Sequence, residues 1–261
     1  MGIGMMAKPD ERVIVLPDLQ IPYHMPKQVQ AAFDYIKDTK PSAVWIVGDW
    51  LDSPGPSRWN KGSASEYSYD LQAEIDLGVE LLGQLRKSAG RSTPIHFKTG
   101  NHDIRVERYV SKYGPALSSL RVLQLESMLH FDRLNITCHR QPAELLPGWV
   151  LAHGDEGSLS RAAGGTALAL ARRFNKSVVC GHTHRLGSQH ETYGMNGRIV
   201  NTVHGVEVGC MMDMREAHYL PGGSGNWQHG FGILYRTGKR VSHTLVPVSP
   251  SGQFVAEGVA R

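Results

Sequence analysis

The fold class this sequence predicts is α/β: a sandwich of two mixed β-sheets flanked by helices. Three observations predict it. Short apolar runs rich in β-branched and aromatic residues recur along the chain, several of them continuous, as expected for strands buried on both faces. Amphipathic helical segments alternate with those runs through the first half. The part from 185 to 248 is richer in strand-like runs, and alternation followed by such a tail reads as sheets covered by helices.

The runs expected as strands cover 12–16, 43–47, 95–99, 149–152, 177–180, 199–203, 231–235 and 241–246. Pro26 suits the first position of a helix, and Val29, Phe33 and Ile36 form its inner face before Pro41 ends it. From Asp70 to Lys87, Leu71, Ile75, Val79, Leu82 and Leu85 recur at three- and four-residue spacing, which makes a long amphipathic helix. A helix following residue 103 carries Arg105 and Arg108, and another spans 162–174 and ends in Arg172-Arg173. The segments 53–69 and 218–229 are rich in Gly, Ser, Pro and aromatics and read as loops. The tail after Val246, with Pro247, Pro250 and Gly252, reads as a loosely held terminus. With neither an internal repeat nor a long linker, one domain over residues 1–261 is the simplest organisation.

Composition bounds the function. A hydrophobic share of 41% in 261 residues fits a globular chain able to bury a core, and no run approaches the roughly 18 apolar residues that span a bilayer. The first residues lack a basic segment followed by an apolar one, so no secretory signal and no membrane partner are expected. Gly2 is not a myristoylation site, because Met6 stands where Ser or Thr is wanted. Cys138, Cys180 and Cys210 are odd in number, widely spaced and set in apolar stretches, which suggests buried free thiols and a cytoplasmic location. A balance of 28 basic against 24 acidic residues fits an anionic substrate without demanding nucleic acid. Thirteen histidines are many for this length.

Five segments place metal-ligand residue types just after strand-like runs: Asp18-Leu19-Gln20, Gly48-Asp49-Trp50-Leu51-Asp52, Gly100-Asn101-His102-Asp103, His153-Gly154-Asp155 and Gly181-His182-Thr183-His184. Singly each has an ordinary explanation. Asp18 could be a turn residue or helix cap, Asn101 a turn residue, and His182 and His184 polar side chains alternating on a strand. Jointly they do not, because sites in open α/β sheets gather outside the carboxyl ends of strands. Carboxylates, imidazoles and an amide suit manganese, iron, zinc or nickel, and the absence of Cys argues against structural zinc.

On these residues the chain resembles the calcineurin-like metallophosphoesterase superfamily, whose signature runs D-x-H, G-D-x-x-D, G-N-H-[E/D], a lone His after a strand, and G-H-x-H. Four of the five blocks match in the same order over residues 13 to 184. The resemblance implies that Asp18, Gln20, Asp49 and His184 surround one metal and Asp49, Asn101, His153 and His182 a second. Asp49 would then bridge two divalent ions, manganese first among the candidates, that share a nucleophilic hydroxide. It further implies that His102 stabilises the attacked phosphoryl oxygen and helps protonate the leaving alkoxide. Asp103 is expected to orient His102, and Asp52 to anchor its loop through a hydrogen bond.

The departure from the signature is Gln20, a neutral amide where the superfamily has His. Either Gln20 ligates through its oxygen and weakens the first site, with a preference for hard ions such as manganese, or His24 swings in. The first reading is preferred because His24 lies beyond Pro22 in a loop that should lead away.

Substrate class is read from cations and aromatics near the motifs. Arg58 and Lys61 follow the second motif, Arg105 and Arg108 sit about one turn apart after the third, and Arg185 follows the fifth. With Trp50, Trp59, Tyr67 and Tyr69 they suggest a phosphoester substrate bearing bases, and Arg58, Arg105 and His204 are the residues expected to touch it. The segment from Gly100 to Tyr109 also resembles stand-alone superfamily members of phages and bacteria. A phosphodiesterase on nucleic acid or nucleotides is therefore expected. The alternatives are a phosphomonoesterase on phosphoprotein or a small metabolite, and a silent metal-binding scaffold.

Overall fold

Each of the eight apolar runs becomes a strand, and alternate residues of one strand serve two different cores. The structure, a computed structural model, describes residues 9–217 and 225–261. In chain order its elements begin with β1 (Glu11–Leu16), α1 (Pro26–Thr39), β2 (Ala43–Ile46), α2 (Ala64–Tyr67), α3 (Leu71–Ala89), β3 (Ile95–Lys98) and α4 (Arg105–Tyr113). Short helices α5 (Leu125–Met128) and α6 (Phe131–Leu134) lead to β4 (Ile136–His139), β5 (Ala143–Leu146), β6 (Trp149–Leu151), α7 (Gly165–Phe174) and β7 (Ser177–Cys180). The chain closes with β8 (Leu186–Met195), β9 (Arg198–Val208), β10 (Gly230–Thr237), β11 (Arg240–Pro247), β12 (Val255–Ala256) and β13 (Val259–Ala260).

Two large sheets result. The first runs β11-β10-β1-β2-β3-β4 and the second β5-β6-β7-β9-β8. Strands β1 to β4 pair in parallel and β10 joins β1 antiparallel, while in the second sheet β6, β7 and β9 are parallel with antiparallel edges. Both sheets are mixed, as expected. Val13 and Val15 of β1 face the core between the sheets, with Trp45, Leu151, Val179 and Val206. Ile14 and Leu16 face the core under α1 and α3, with Phe33, Ile36, Leu82 and Phe97. A third core packs α7 on the outer face of the second sheet, through Leu168, Ala171, Val178 and Cys180. Burial on both faces is why these strands read as continuous apolar runs.

Helix boundaries follow their sequence signals. Pro26 opens α1, and Asp70 caps α3 by accepting a hydrogen bond from Ala73 N at 3.0 Å. The helix expected over 162–174 starts later, at Gly165. Within the expected loop 53–69, residues 64–67 form α2. Of the expected loop 218–229, residues 218–224 lie outside the described residues. Cys180 and Cys210 are buried free thiols, and Cys138 is half-buried. No helix among the described residues is long and apolar enough to cross a membrane.

The C-terminal tail is not loosely held. Phe254 and Ala256 enter the first core, with Phe254 edge-on to Tyr35 and Phe231, and the main chains of Phe254 and Arg261 exchange hydrogen bonds of 3.1 and 2.9 Å. Glu257 pairs with Arg12 at 2.6 Å and Arg261 with Asp38 at 2.7 Å. Two apolar side chains at alternate positions suffice to seat a short hairpin that its Pro and Gly residues disguise.

Candidate functional site

The five motifs follow β1, β2, β3, β6 and β7. Because β1, β2 and β3 run parallel in one sheet and β6 and β7 in the other, their carboxyl ends open on the same edge of the sandwich. Crossing this narrow space demands unusual backbone. Gln20, Asp49, His182 and His184 all adopt left-handed conformations, with φ of 54°, 49°, 65° and 57°. Non-glycine residues are uncommon there. Glycines stand where a side chain would collide: a Cβ on Gly100 would lie 2.1 Å from Asp49 Oδ1, and one on Gly181 would lie 2.2 Å from Asp18 Oδ1.

The donor atoms converge. His153 Nε2 lies 3.2 Å from Asp49 Oδ2 and 3.2 Å from Asn101 Oδ1. His184 Nε2 lies 3.2 Å from Asp18 Oδ2, and the Gln20 amide 3.2 Å from Asp49 Oδ2. Asp49, His153 and His182 bring one donor atom each within 4.8 Å of one another. Two ligands at about 2.1 Å from a common metal stand about 3.0 Å apart at a right angle and about 3.4 Å apart at the tetrahedral angle. Spacings of 3.2 Å fall between. Asp18 Oδ1 and Gln20 Oε1 are buried without a hydrogen-bond partner among the described residues. The amide of Gln20 now turns its nitrogen to Asp49; rotated by half a turn it presents the orphaned Oε1 at the same place. His24 instead pairs along the backbone with Met212.

The electrostatics call for positive charge. Burial opposes the ionised form of Asp49, yet His153 and His102 hold it well below the ordinary carboxylate range. Burial also opposes protonation of His153, but Asp49 pushes it up to about 10. His184 behaves likewise, with Cys210 and Asp18 outweighing burial and raising it to about 10. His182 is lowered, first by burial and then by His153. His153 Nδ1 sits 3.0 Å from the Val47 carbonyl, which fixes the proton there and turns the Nε2 lone pair inward. The donor set therefore fits divalent metal: nitrogen and oxygen atoms only, convergent, partly unsatisfied and rich in negative charge.

Asp52 and Asp103 make the reverse of the expected contacts. His102 Nδ1 lies 2.9 Å from Asp52 Oδ1 and 3.1 Å from the Asp52 carbonyl, so Asp52 is the group that orients the ring. Asp103, fully buried, accepts hydrogen bonds from Asp49 N (2.8 Å), Gly100 N (2.8 Å) and Leu51 N (3.1 Å). It pins two metal-site loops together. The reason is helical geometry: the turn after Gly100 opens α4, which directs Asp103 back under the loops and His102 out over Asp52. Burial opposes protonation of His102, but Asp49 and the Asp52 hydrogen bond prevail and raise its pKa.

Of the donor set, Gln20, Asp49, Asn101, His182 and His184 line a cleft of about 610 Å³ walled by Pro54, Trp59, Leu159 and Trp227. Arg105 enters it, with Nη1 donating to the Asp52 carbonyl at 2.6 Å and Nη2 lying 3.1 Å from His102 Nε2. Arg58 is exposed above Trp59, its guanidinium 4.5 Å from that ring. Trp50, counted at the cleft entrance from sequence, is fully buried and donates to the Gly78 carbonyl at 3.1 Å.

His204 is not brought to the site. Its neighbour Gly205 pairs with Val178, near the amino end of β7, whereas the motif histidines follow that strand's carboxyl end. There His204 packs with Trp149, His190 and His243. Likewise His182 and His184 do not alternate on a strand; both occupy the turn between β7 and β8.

Sequence reasoning missed three contributors. Glu207, buried, accepts from Thr166 N at 2.9 Å and from Thr183 Oγ1 at 2.8 Å, which holds the fifth motif. Glu156 accepts from His153 N at 3.1 Å and Gly154 N at 2.7 Å, and pairs with buried Lys98 at 3.3 Å. Trp227 packs edge-on against His184, with centroids 4.2 Å apart. A lone acid inside the apolar run 203–208 was the available signal for Glu207.

The family profile described as calcineurin-like phosphoesterase matches residues 11–186 of this chain. The chain is 36% identical over 252 residues to the Gene 54 protein of Mycobacterium phage D29, which covers 95% of this chain and 97% of that one. It is 34% identical over 252 residues, with the same coverage, to the Gene 54 protein of Mycobacterium phage L5. Among solved structures, vacuolar protein sorting 29 from Cryptosporidium parvum aligns over 96% of this chain and 94% of its own, at 15% identity and a TM-score of 0.45.

Proposed function

Since the chain belongs to the calcineurin-like phosphoesterase family, whose members hydrolyse phosphoesters with divalent metals, we propose that it is a cytoplasmic phosphodiesterase of nucleic acid or nucleotide substrates. It would work through a dinuclear centre, with manganese the first candidate. The observation that carries the reading is His102, held at 2.9 Å by Asp52 at the edge of the donor set that converges on Asp49. Asp18, Gln20, Asp49 and His184 would hold one metal, and Asp49, Asn101, His153 and His182 the other. When bound, the metals supply Lewis acidity and lower the pKa of water.

The chain's own residues do the rest. Arg105 Nη2 can only donate, so its 3.1 Å approach to His102 Nε2 holds the free enzyme with the imidazole proton on Nδ1. A phosphoryl oxygen entering between them accepts from Arg105 and releases Nε2, which takes up a proton from solvent to form the imidazolium that Asp49 and Asp52 favour, and then also donates to that oxygen. With Nδ1–H retained by Asp52, Nε2–H points into the cleft and passes to the leaving alkoxide. Leu159 and Trp227 give the cleft apolar walls, and a volume of about 610 Å³ leaves room for ester groups on both sides of a phosphate. That room favours a diester over a monoester.

The test is initial rates on bis(p-nitrophenyl) phosphate and p-nitrophenyl phosphate, in Mn(II) and after chelation, for the wild type and His102→Ala. Metal-dependent cleavage favouring the diester is expected, with His102→Ala about 10²–10⁴-fold slower at unchanged metal content. Cleavage of the monoester alone makes the protein a monoesterase, and cleavage of neither makes it a scaffold. Full activity in His102→Ala removes the assignment of the proton donor.

A further inference from the structure

The cleft does not end at the metal-ligand residues. Asn101, Arg105, Ser57 and Trp59 line both it and a second, contiguous groove of about 540 Å³. One wall of that groove is α4, which presents Arg105, Arg108 and Lys112 at positions i, i+3 and i+7, a single helical face. At 1.5 Å per residue, these cations step away from the metal site by about 4.5 Å and then about 6 Å. The facing wall is the loop after the second motif, with Arg58 and Trp59.

Three features separate this groove from ordinary charged surface. First, three of its four cations lack a carboxylate partner: among the described residues Arg58, Arg108 and Lys112 make no ion pair and no carboxylate lines the groove, while Arg105 lies 3.9 Å from Asp52 and Arg58 and Lys112 rest over the Trp59 and Tyr113 rings. Nearby cations outside it are neutralised, Lys61 by Glu66 at 2.7 Å and Arg140 by Glu107 at 2.7 Å. Second, its aromatics are open. Trp59 is 77% exposed and Tyr113 43%, unusual for side chains of that size. Third, its far wall is built rather than loose: the Tyr109 hydroxyl is held by Glu66 (2.6 Å) and Lys61 (2.9 Å), and the Lys61 ammonium lies over both the Tyr109 and Tyr113 rings, at 4.8 and 4.4 Å.

Cations without carboxylate partners repeating along a line, beside exposed aromatic side chains, match a strand of alternating phosphates and bases. The span of about 10.5 Å from Arg105 to Lys112 far exceeds what one phosphate needs, whereas charges on a stacked strand recur at roughly 3.4 Å. We propose that this groove carries the single strand flanking the scissile phosphate, which makes the substrate a single-stranded nucleic acid rather than a mononucleotide or cyclic nucleotide. Trp59 stacks the base next to the scissile bond, and Arg108 and Lys112 take the phosphates beyond it. The proposal rests on the phosphodiesterase reading for its catalytic meaning, but strand binding is measurable without catalysis.

The experiment is fluorescence anisotropy of a short labelled oligothymidylate in chelator, for the wild type, Trp59→Ala and Arg108→Ala/Lys112→Ala. All three side chains are exposed or half-exposed, so the fold survives. Trp59→Ala should weaken binding about tenfold, the loss of one stacked base. The double variant should lower the slope of log Kd against log salt by about 1.4, the contribution of two phosphate contacts. In Mn(II), each variant should lose more kcat/KM on the oligonucleotide than on bis(p-nitrophenyl) phosphate, which is too short to reach Lys112. Equal affinity and salt slope in all three proteins would overturn the groove. So would equal losses on long and short substrates. If the oligonucleotide binds through these residues but no diester is cleaved in Mn(II), the groove stands and the diesterase reading fails.

Discussion

Glu74→Gln should stabilise the protein at alkaline pH and not at acid pH. Glu74 lies on α3, buried, and its Oε1 accepts from Ser53 N at 2.7 Å and Ser53 Oγ at 3.2 Å, next to Asp52. Its second oxygen is buried without a hydrogen-bond partner among the described residues. Burial is the main reason its pKa is pushed up from 4.5 to about 7, with Tyr69 and Ser53 opposing the rise and Asp52 adding to it. A folded pKa above the unfolded one means that the folded state holds the proton more tightly. The stabilisation is therefore complete below pH 4.5 and is lost as pH rises through the folded value of about 7. A gap of about 2.5 units corresponds to about 3.4 kcal/mol, of which about 2.5 kcal/mol falls between pH 5 and pH 8. Gln keeps the acceptor for Ser53 and carries no charge, so its difference from the wild type isolates this one titration. Chemical unfolding in chelator at both pH values should give Glu74→Gln an advantage that grows by about 2.5 kcal/mol from acid to alkaline pH, or roughly 5–10 °C in Tm. A difference that stays within 1 kcal/mol across that range would refute the reasoning, because Glu74 would then titrate as an ordinary exposed carboxyl.

Further expectations concern the metal-site carboxylates and Gln20. Asp52→Asn removes the charged partner of His102, so kcat on the diester should fall about 10- to 150-fold, the loss of a charge-assisted hydrogen bond of roughly 1.5–3 kcal/mol. Its alkaline limb should also move to lower pH, since Asp52 raises His102; an unchanged pH–rate profile would exclude the role. Asp103→Ala strands the three buried N–H groups of Asp49, Leu51 and Gly100, so it should lower Tm and metal content together, and a variant of normal Tm that lost only kcat would return Asp103 to the catalytic part. Gln20→His should tighten metal binding at the first site in titration calorimetry, and unchanged affinity would mean that residue 20 is no ligand.

What was legible in the sequence follows physical lines. Strands buried on both faces announce themselves, so β1, β2, β3, β6, β7 and β10 are read within a residue or two, and β11, an edge strand exposed at alternate residues, is read just as closely from the alternation of Val241, His243 and Leu245. The strand β8 is not, because it forms an edge of the second sheet and its residues 190–195 are mostly exposed and polar, without an apolar period. Its partner β9 was read only over 199–203, since His204, Gly205 and Glu207 break the apolar run in what is otherwise its buried half. At the site, residue types marked the five motifs, and the ligand set that the family resemblance implies from them, Asp18, Asp49, Asn101, His153, His182 and His184, converges. Direction was not legible. Asp52 and Asp103 have the same side chain at one residue's remove from plausible roles, and only the rise of α4 decides which of them faces His102. His204 failed for a similar reason: following an apolar run says nothing about which end of the sheet that run points to.

The left-handed residues explain why the ligands are positioned so well before any ion binds. Each such conformation costs on the order of 1–3 kcal/mol and persists only where its surroundings over-determine it. Here the over-determination comes from the ligands themselves. Asp18 Oδ2 accepts from His182 N at 2.7 Å, and Asp49 Oδ1 accepts from His102 N at 2.9 Å. The Asp49 carbonyl accepts from Gln20 N at 2.9 Å, and Asp49 N donates to Asp103 at 2.8 Å. In Asp49 one oxygen thus fixes the backbone of another motif while the other faces the donor set, and in Asp18 a single oxygen, Oδ2, does both, accepting from His182 N and lying 3.2 Å from His184 Nε2. The loops of the two sheets are clamped across the sandwich edge by the groups that would coordinate metal. Removing a ligand carboxylate therefore removes a structural tie as well, so lost activity in such a variant does not by itself report on metal binding. The histidine ligands are different: among the described residues the rings of His182 and His184 make no hydrogen bond to the backbone and that of His153 makes one, to the Val47 carbonyl, so replacing His182 or His184 separates coordination from loop geometry more cleanly than replacing a carboxylate.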